Sequence, residues 1–234
     1  MFNYKNVQRY LVFLTIVLYC NQAHSANNDY IFPYSTISHS NYGGGGLVMN
    51  PSARFNEAGT LAVRWVNFDP YIRGSLLAYP FEWLEASYQY TDVNNALYSD
   101  IEAFSGDQTY KDKGFDVKFR LIKEHKWRPS IAMGIRDLAG TGVFSSEYFV
   151  ASKYIGNFDF TFGLGWGNLA NNGKYKNIFG KLKSSMYSRG VMDASTQGGE
   201  VSYDSFFTGH MGLFGGIEYF VPNMNGMRLE LEYS

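Results

Sequence analysis

A chain of 234 residues carrying 20 Lys plus Arg against 21 Asp plus Glu has a net charge of −1, and no basic block tracks a groove, so nucleic acid is excluded as a partner. One cysteine, Cys20, rules out a disulfide framework and cysteine-ligated metal. Aromatic residues make up 18% of the chain, glycines number 25 and mean hydropathy is −0.24, while no apolar run beyond the first 25 residues is long enough for a transmembrane helix.

The chain opens with Lys5 and Arg9 ahead of an apolar run from Tyr10 to Tyr19, too short to span a bilayer comfortably and read as a secretory signal. Ala23-His24-Ser25 places cleavage after Ser25 or Ala26. Val17-Leu18-Tyr19-Cys20 loosely resembles a lipobox, although Tyr19 stands where a small residue is expected; ordinary cleavage is the favoured reading. Residues 26–59, with Gly43 to Gly46, read as a flexible periplasmic lead-in. No Gly-Lys-Ser/Thr follows the four glycines, so they form no phosphate loop.

From Thr60 onward, apolar and polar residues alternate with the period of two that a strand imposes. Strands are expected over Thr60 to Phe68, Tyr71 to Tyr79, Trp83 to Asp92, Gly114 to Lys123, Arg128 to Leu138, Ser145 to Tyr154, Asn157 to Trp166, His210 to Val221 and Met227 to Ser234. In the seventh, Phe158, Phe160, Phe162, Leu164 and Trp166 share one face, opposite Asp159, Thr161, Gly163 and Gly165. Connections sort by parity. Short turns at Pro80 to Glu82, Glu124 to Trp127, Ile155 to Gly156 and Pro222 to Gly226 alternate with longer loops at Val93 to Lys113, Ala139 to Phe144 and Gly167 to Gly209; only Asp69-Pro70 is short for its side. Outer-membrane barrels keep short turns in the periplasm and long loops outside. Trp65, Phe81, Trp83, Trp127, Phe158 and Trp166 near strand ends suit interfacial aromatic belts.

The expected fold is therefore all-β: an antiparallel transmembrane β-barrel of the outer-membrane type spanning residues 60–234, with about nine strands present. A soluble barrel or sandwich with an aromatic core is the competing architecture. An odd strand count leaves an unclosed edge, costly in lipid, so the barrel is expected to be incomplete at the C-terminus.

Arg64, Arg73, Glu85, Asp116, Lys118, Arg120, Arg136, Glu147, Asp159, Glu218, Arg228 and Glu230 are the candidate lumen-lining residues, joined by Lys153 and Glu232. Their balanced signs suit an interior ion-pair network in a narrow barrel, or a hydrated wall for hydroxyl-rich chains in a wider one. Lys174, Lys176, Lys181, Lys183 and Arg189 in the last long loop are candidate contacts for lipopolysaccharide phosphates or an anionic polymer, against the plainer reading of a solvated loop. His39, His125 and His210 stand at no metal-ligand spacing, and no metal or other cofactor is expected. His210 with Asp204 could serve a surface hydrolase or lipid-modifying enzyme, although rim histidines are more often structural.

Particular runs carry a resemblance. Gly43 to Arg54 with Glu57-Ala58-Gly59-Thr60-Leu61, Tyr79 to Ala86 with Tyr90-Thr91-Asp92, Gly140 to Tyr148 with Val150 to Lys153, and Asp159 to Gly167 together resemble the YjbH/GfcD family of exopolysaccharide and capsule outer-membrane proteins. The resemblance covers most of residues 40 to 234. It implies an outer-membrane β-barrel protein that assists polymer secretion or modification; a non-enzymatic barrel component of exopolysaccharide secretion, exported to the outer membrane of a Gram-negative bacterium, is the leading expectation. Implied partners are membrane lipid, lipopolysaccharide, a polysaccharide chain and other export proteins. Family chains look longer, with further barrel sequence beyond this point. A surface-exposed hydrolase and a purely structural barrel are the alternatives carried alongside.

Overall fold

A computed structural model describes residues 12–16, 37–170, 173, 175–190, 203–224 and 226–234. Nine strands follow one another as an antiparallel meander: β2 (Thr60–Phe68), β3 (Tyr71–Phe81), β4 (Leu84–Leu97), β5 (Thr109–Ile122), β6 (Ser130–Arg136), β7 (Ser146–Ile155), β8 (Phe158–Gly165), β9 (Gly212–Phe220) and β10 (Met227–Tyr233). A short strand β1 (Val12–Ile16) lies antiparallel against β10, with Val12 opposite Leu231 and Ile16 opposite Met227. β1 falls inside the run expected to be a signal; the rest of that segment, with Cys20 and the cleavage site, lies outside the described residues.

The alternation in sequence becomes an alternation in burial. Along β8 the outward Phe158, Phe160 and Phe162 are exposed while Asp159, Thr161 and Gly163 between them are buried. On β2, Leu61, Val63 and Trp65 are 73%, 85% and 73% exposed, so the convex face is an apolar surface that no other described residue covers. Most of the expected belt residues are exposed too: Trp65, Phe81, Trp83, Trp127 and Phe158. Trp166 is not. It is fully buried, stacked on Phe179 and edge-on to Phe149 and Phe207, because the loop after β8 folds back over it.

Two loops differ from expectation. Much of the expected loop Val93 to Lys113 is strand, since β4 and β5 extend to Leu97 and from Thr109 around a single helical turn, α1 (Glu102–Ser105). The pairing continues with Thr91 opposite Asp112 and Val93 opposite Tyr110, a polar stretch in which period-two patterning is weak. The last long loop contains short 3-10 turns at Gly167–Ala170, Ile178–Lys181, Ser184–Tyr187 and Tyr203–Ser205.

The sheet does not close. β2 pairs with β3 alone, and no ladder among the described residues joins it to β10 or β1. In the nine-strand meander β2 and β10 run in the same direction, so these two strands cannot pair antiparallel with each other, and β1 on the far side of β10 makes no ladder with β2. A cavity of about 300 Å³ lies at this seam, lined by Ala62, Val63 and Arg64 of β2, Arg228 and Glu230 of β10, and residues 37–48 behind them.

Residues 37–59 depart most from expectation. They are not a flexible lead-in but an ordered strap laid along the concave face of the sheet. Ile37, Ala53 and Phe55 of the strap share a buried apolar cluster with Leu77, Tyr79, Ala132, Tyr148, Val150 and Phe214 of the wall. The polar face of the sheet hid this from the sequence, because the strap reaches the wall chiefly through its own backbone groups.

Candidate functional site: the concave face and its strap

The strap folds tightly on itself before it meets the wall. Ser40 N donates to Gly44 O and Gly46 N to Ser38 O, both at 2.9 Å, and Leu47 N donates to Asn50 O at 2.9 Å. The four glycines are the condition for this path. Gly43 has φ +97°, in the left-handed region, and a Cβ on Gly46 would stand 2.4 Å from Asn50 O.

Every strand of the meander then holds the strap. From β2, Arg64 donates to His39 O, and from β3 Arg73 donates to Asn41 O at 2.8 Å. On β4, Glu85 accepts from Gly45 N at 3.1 Å. On β5, Lys118 is 1% exposed; its Nζ lies 3.0 Å from Glu85 Oε2 and donates to the carbonyls of Gly45, Ser52 and Arg54 at 3.0, 3.3 and 2.9 Å. On β6, Ser130 Oγ donates to Ala53 O at 2.9 Å, and on β7 Ser152 Oγ accepts from Ala53 N at 2.9 Å. On β8, Asp159 receives Arg54 Nε at 2.7 Å and Nη2 at 2.5 Å. On β9, Glu218 accepts from Ser38 Oγ at 2.5 Å, and on β10 Arg228 donates to the same hydroxyl at 2.7 Å. Glu232, also on β10, accepts from Met49 N at 2.9 Å and from Asn50 Nδ2 at 3.0 Å.

Several of the buried charges pair with one another. Arg228 pairs with Glu218 at 3.1 Å, and Arg54 reaches Glu124 as well as Asp159. Burial works against the Arg54 charge, yet the Asp159 and Glu124 carboxylates outweigh it and hold the guanidinium above its ordinary pKa. His39 sits beneath with Nε2 3.3 Å from both Asn56 Nδ2 and Tyr79 Oη. An amide nitrogen only donates, so Nε2 is the acceptor and the ring is neutral. Burial, followed by the charges of Arg64, Lys118 and Arg228, lowers its pKa to about 4.

At the long-loop end, Arg73 and Arg136 both lie over the Tyr42 ring, 4.4 and 4.3 Å from its centroid, and Phe144 packs edge-on to Tyr42 and Tyr71. Asp137 accepts from Phe144 N at 3.3 Å; burial and then the neighbouring Asp112 raise its carboxyl to about 6. Together these groups close over the tip of the strap.

The twelve candidate lumen residues therefore sit on the concave side. Arg64, Arg73, Glu85, Lys118, Arg136, Asp159, Glu218 and Arg228 contact the strap or its charged partners, and Arg120 lies 4.4 Å from the Phe55 ring. Asp116 accepts from Gln89 and from Asp137 N, and Glu230 is buried at the seam. Glu147 is engaged by a loop cation instead: Arg189 donates to it at 2.8 and 2.9 Å. That corrects Arg189 as a free polyanion contact, since its guanidinium is committed to tying the last loop onto β7. Lys176, Lys181 and Lys183 are exposed on that loop, and Lys174 lies outside the described residues.

Arg54, Ser38, Asn50 and Glu124 escaped the sequence reading. Arg54 and Asn50 precede the first strand, where period-two logic gives no facing. Glu124 lies in the expected short turn Glu124 to Trp127, where no pattern gives its partners; it accepts from Tyr154 N at 2.9 Å and pairs with Lys153 at 3.1 Å. His210 and Asp204 are exposed and separated from this network. Among the described residues no group of three or more His, Cys, Asp or Glu is placed to hold a metal.

No solved structure matches the chain. The uncharacterized lipoprotein YjbH of Escherichia coli (strain K12) is 45% identical over 196 residues, which cover 84% of this chain and 28% of that relative. The chain thus spans little more than a quarter of that protein's length. Residues 38–234 match the family described as exopolysaccharide biosynthesis protein, and the chain belongs to this YjbH family.

Proposed function

We propose that this chain forms part of the wall of an outer-membrane β-barrel that serves exopolysaccharide secretion or biosynthesis as a non-enzymatic component. The observation that carries the reading is the two-faced sheet: an exposed apolar convex face, with Val63 85% exposed and Phe162 59% exposed, around a charged concave face laced with ion pairs. A soluble protein rarely leaves an apolar surface of that extent in water, whereas lipid requires one. Short turns lie at the end where the strap enters β2, and the long loops lie at the other, as expected if the first end is periplasmic.

Family membership supports the link to exopolysaccharide, and the relative's description as a lipoprotein supports export. By the same analogy Cys20 becomes the candidate acylation site, which reverses the balance between the two cleavage readings. Membrane lipid, lipopolysaccharide, a polysaccharide chain and other export proteins are the proposed partners, with Lys176, Lys181 and Lys183 the remaining cations on the loop available to phosphate groups.

Deleting the gene in its host and measuring extracellular polysaccharide, together with density fractionation of the membranes, tests the reading. Lost polymer, restored by complementation, with the protein in the outer-membrane fraction is the expected result. Unchanged polymer with the protein in the soluble fraction would overturn it.

A further inference from the structure

We infer that residues 37–59 are a stationary plug: they seal the concave side of this wall, so no polymer threads the space these nine strands enclose. The inference rests on the barrel reading above and goes beyond it, and it does not depend on the link to exopolysaccharide.

A gate needs a weakly held element that can leave without stranding charge. This strap is the opposite. Each of the nine strands β2 to β10 supplies at least one side chain to it, from Arg64 on the first to Glu232 on the last. Its withdrawal would leave Asp159 buried without its Arg54 pair and strip Lys118 of three carbonyl acceptors, and buried unpaired charge is among the most costly features a fold can carry. It would also empty the apolar cluster built on Ile37, Ala53 and Phe55.

The path leaves no slack for sliding in place. Beside Gly43, Gly44 and Gly45, the Ser75, Glu85 and Lys118 side chains stand 2.6, 2.7 and 2.9 Å from where a Cβ would be. Because the strap engages β2 and β3 on one side and β9 and β10 on the other, it also bridges the seam between β2 and β10. Opening the space therefore means loosening the wall.

The test is thiol accessibility in isolated membranes from cells producing the full-length protein. Ser40→Cys and Ser52→Cys, at positions 0% and 4% exposed, are compared with Ser188→Cys on the exposed loop, each in a chain that keeps Cys20, which acylation or cleavage leaves without a thiol, each treated with a membrane-impermeant maleimide and each corrected for labelling of the parent protein. The two strap thiols should react at least about tenfold more slowly than the loop thiol, because exchange with solvent then requires partial unfolding. Comparable rates would overturn the inference. Adding Gly46→Val to Ser40→Cys separates a gate from a plug. Faster labelling accompanied by a matching loss of the heat-modifiable folded form is expected. Faster labelling with the folded fraction intact, or no change in either, would contradict a stationary plug.

Discussion

Replacing Arg54 with Met removes the charge that joins the strap to β8 and to the turn after β5. The Arg54 side chain is 8% exposed, and its two carboxylate partners, Asp159 and Glu124, are 4% and 6% exposed, so neither anion can turn to water in place. Breaking a buried pair by deleting one partner typically costs about 3–5 kcal/mol, most of it the stranded charge rather than the lost attraction. Glu124 keeps Lys153 at 3.1 Å and Tyr154 N at 2.9 Å, so the larger share falls on Asp159, which loses both of its Arg54 contacts. Adding Asp159→Asn should therefore recover about 1–3 kcal/mol, because a neutral amide costs less to bury than an unpaired carboxylate. Urea unfolding in lipid vesicles, followed by tryptophan fluorescence, measures both variants. A loss under about 1 kcal/mol for Arg54→Met, or a double variant no more stable than the single one, would refute the buried-network account.

Phe162→Arg on the convex face should destabilise by about 2–4 kcal/mol if the site lies near the bilayer midplane, whereas Lys176→Glu on the exposed loop should change stability by under about 0.5 kcal/mol; the same unfolding assay compares them. Gly46→Ala, whose Cβ would sit 2.4 Å from Asn50 O, should cost on the order of 1–3 kcal/mol, while Gly190→Ala, with open space around it, should be neutral within about 0.5 kcal/mol. His39 has a folded pKa of about 4 against an ordinary 6.5, so its contribution is full above pH 6.5 and declines as pH falls toward 4. Because Asp137, held at about 6, acts in the opposite sense as pH falls from there toward 3.8, the quantity to follow is the difference between wild type and His39→Gln, which should shrink by roughly 1 kcal/mol per pH unit across that window. A difference independent of pH between 6.5 and 4 would contradict the neutral, acceptor role of His39.

The strands were readable because one rule places every side chain along them. In β2 and β8 a half-buried surface forces alternation, and the residues at Thr60–Phe68 and Phe158–Gly165 obey it almost without exception. The failures share a cause. Where polar residues pair across β4 and β5 from Thr91 to Leu97, the two faces have similar polarity and the period vanishes. Trp166 alternates correctly but is buried by a loop whose return no local pattern announces. The strap was misread most completely. Four glycines suggest flexibility in isolation, yet here they mark close approach, and the signal that they do so lies in lysine, glutamate and serine side chains 30 to 70 residues away. Arg54 likewise looked like a residue before the first strand until Asp159 and Glu124 converged on it.

Spin labels placed one at a time from Phe158 to Leu164 in membrane-reconstituted protein test the central claim most directly, through collision with oxygen, which partitions into lipid, and with a water-soluble nickel chelate. Labels at 158, 160 and 162 should favour oxygen, and labels at 159, 161 and 163 should be shielded from both reagents, reproducing the period of two seen along β8. Outward labels that collide freely with the water-soluble chelate would contradict a lipid-facing wall.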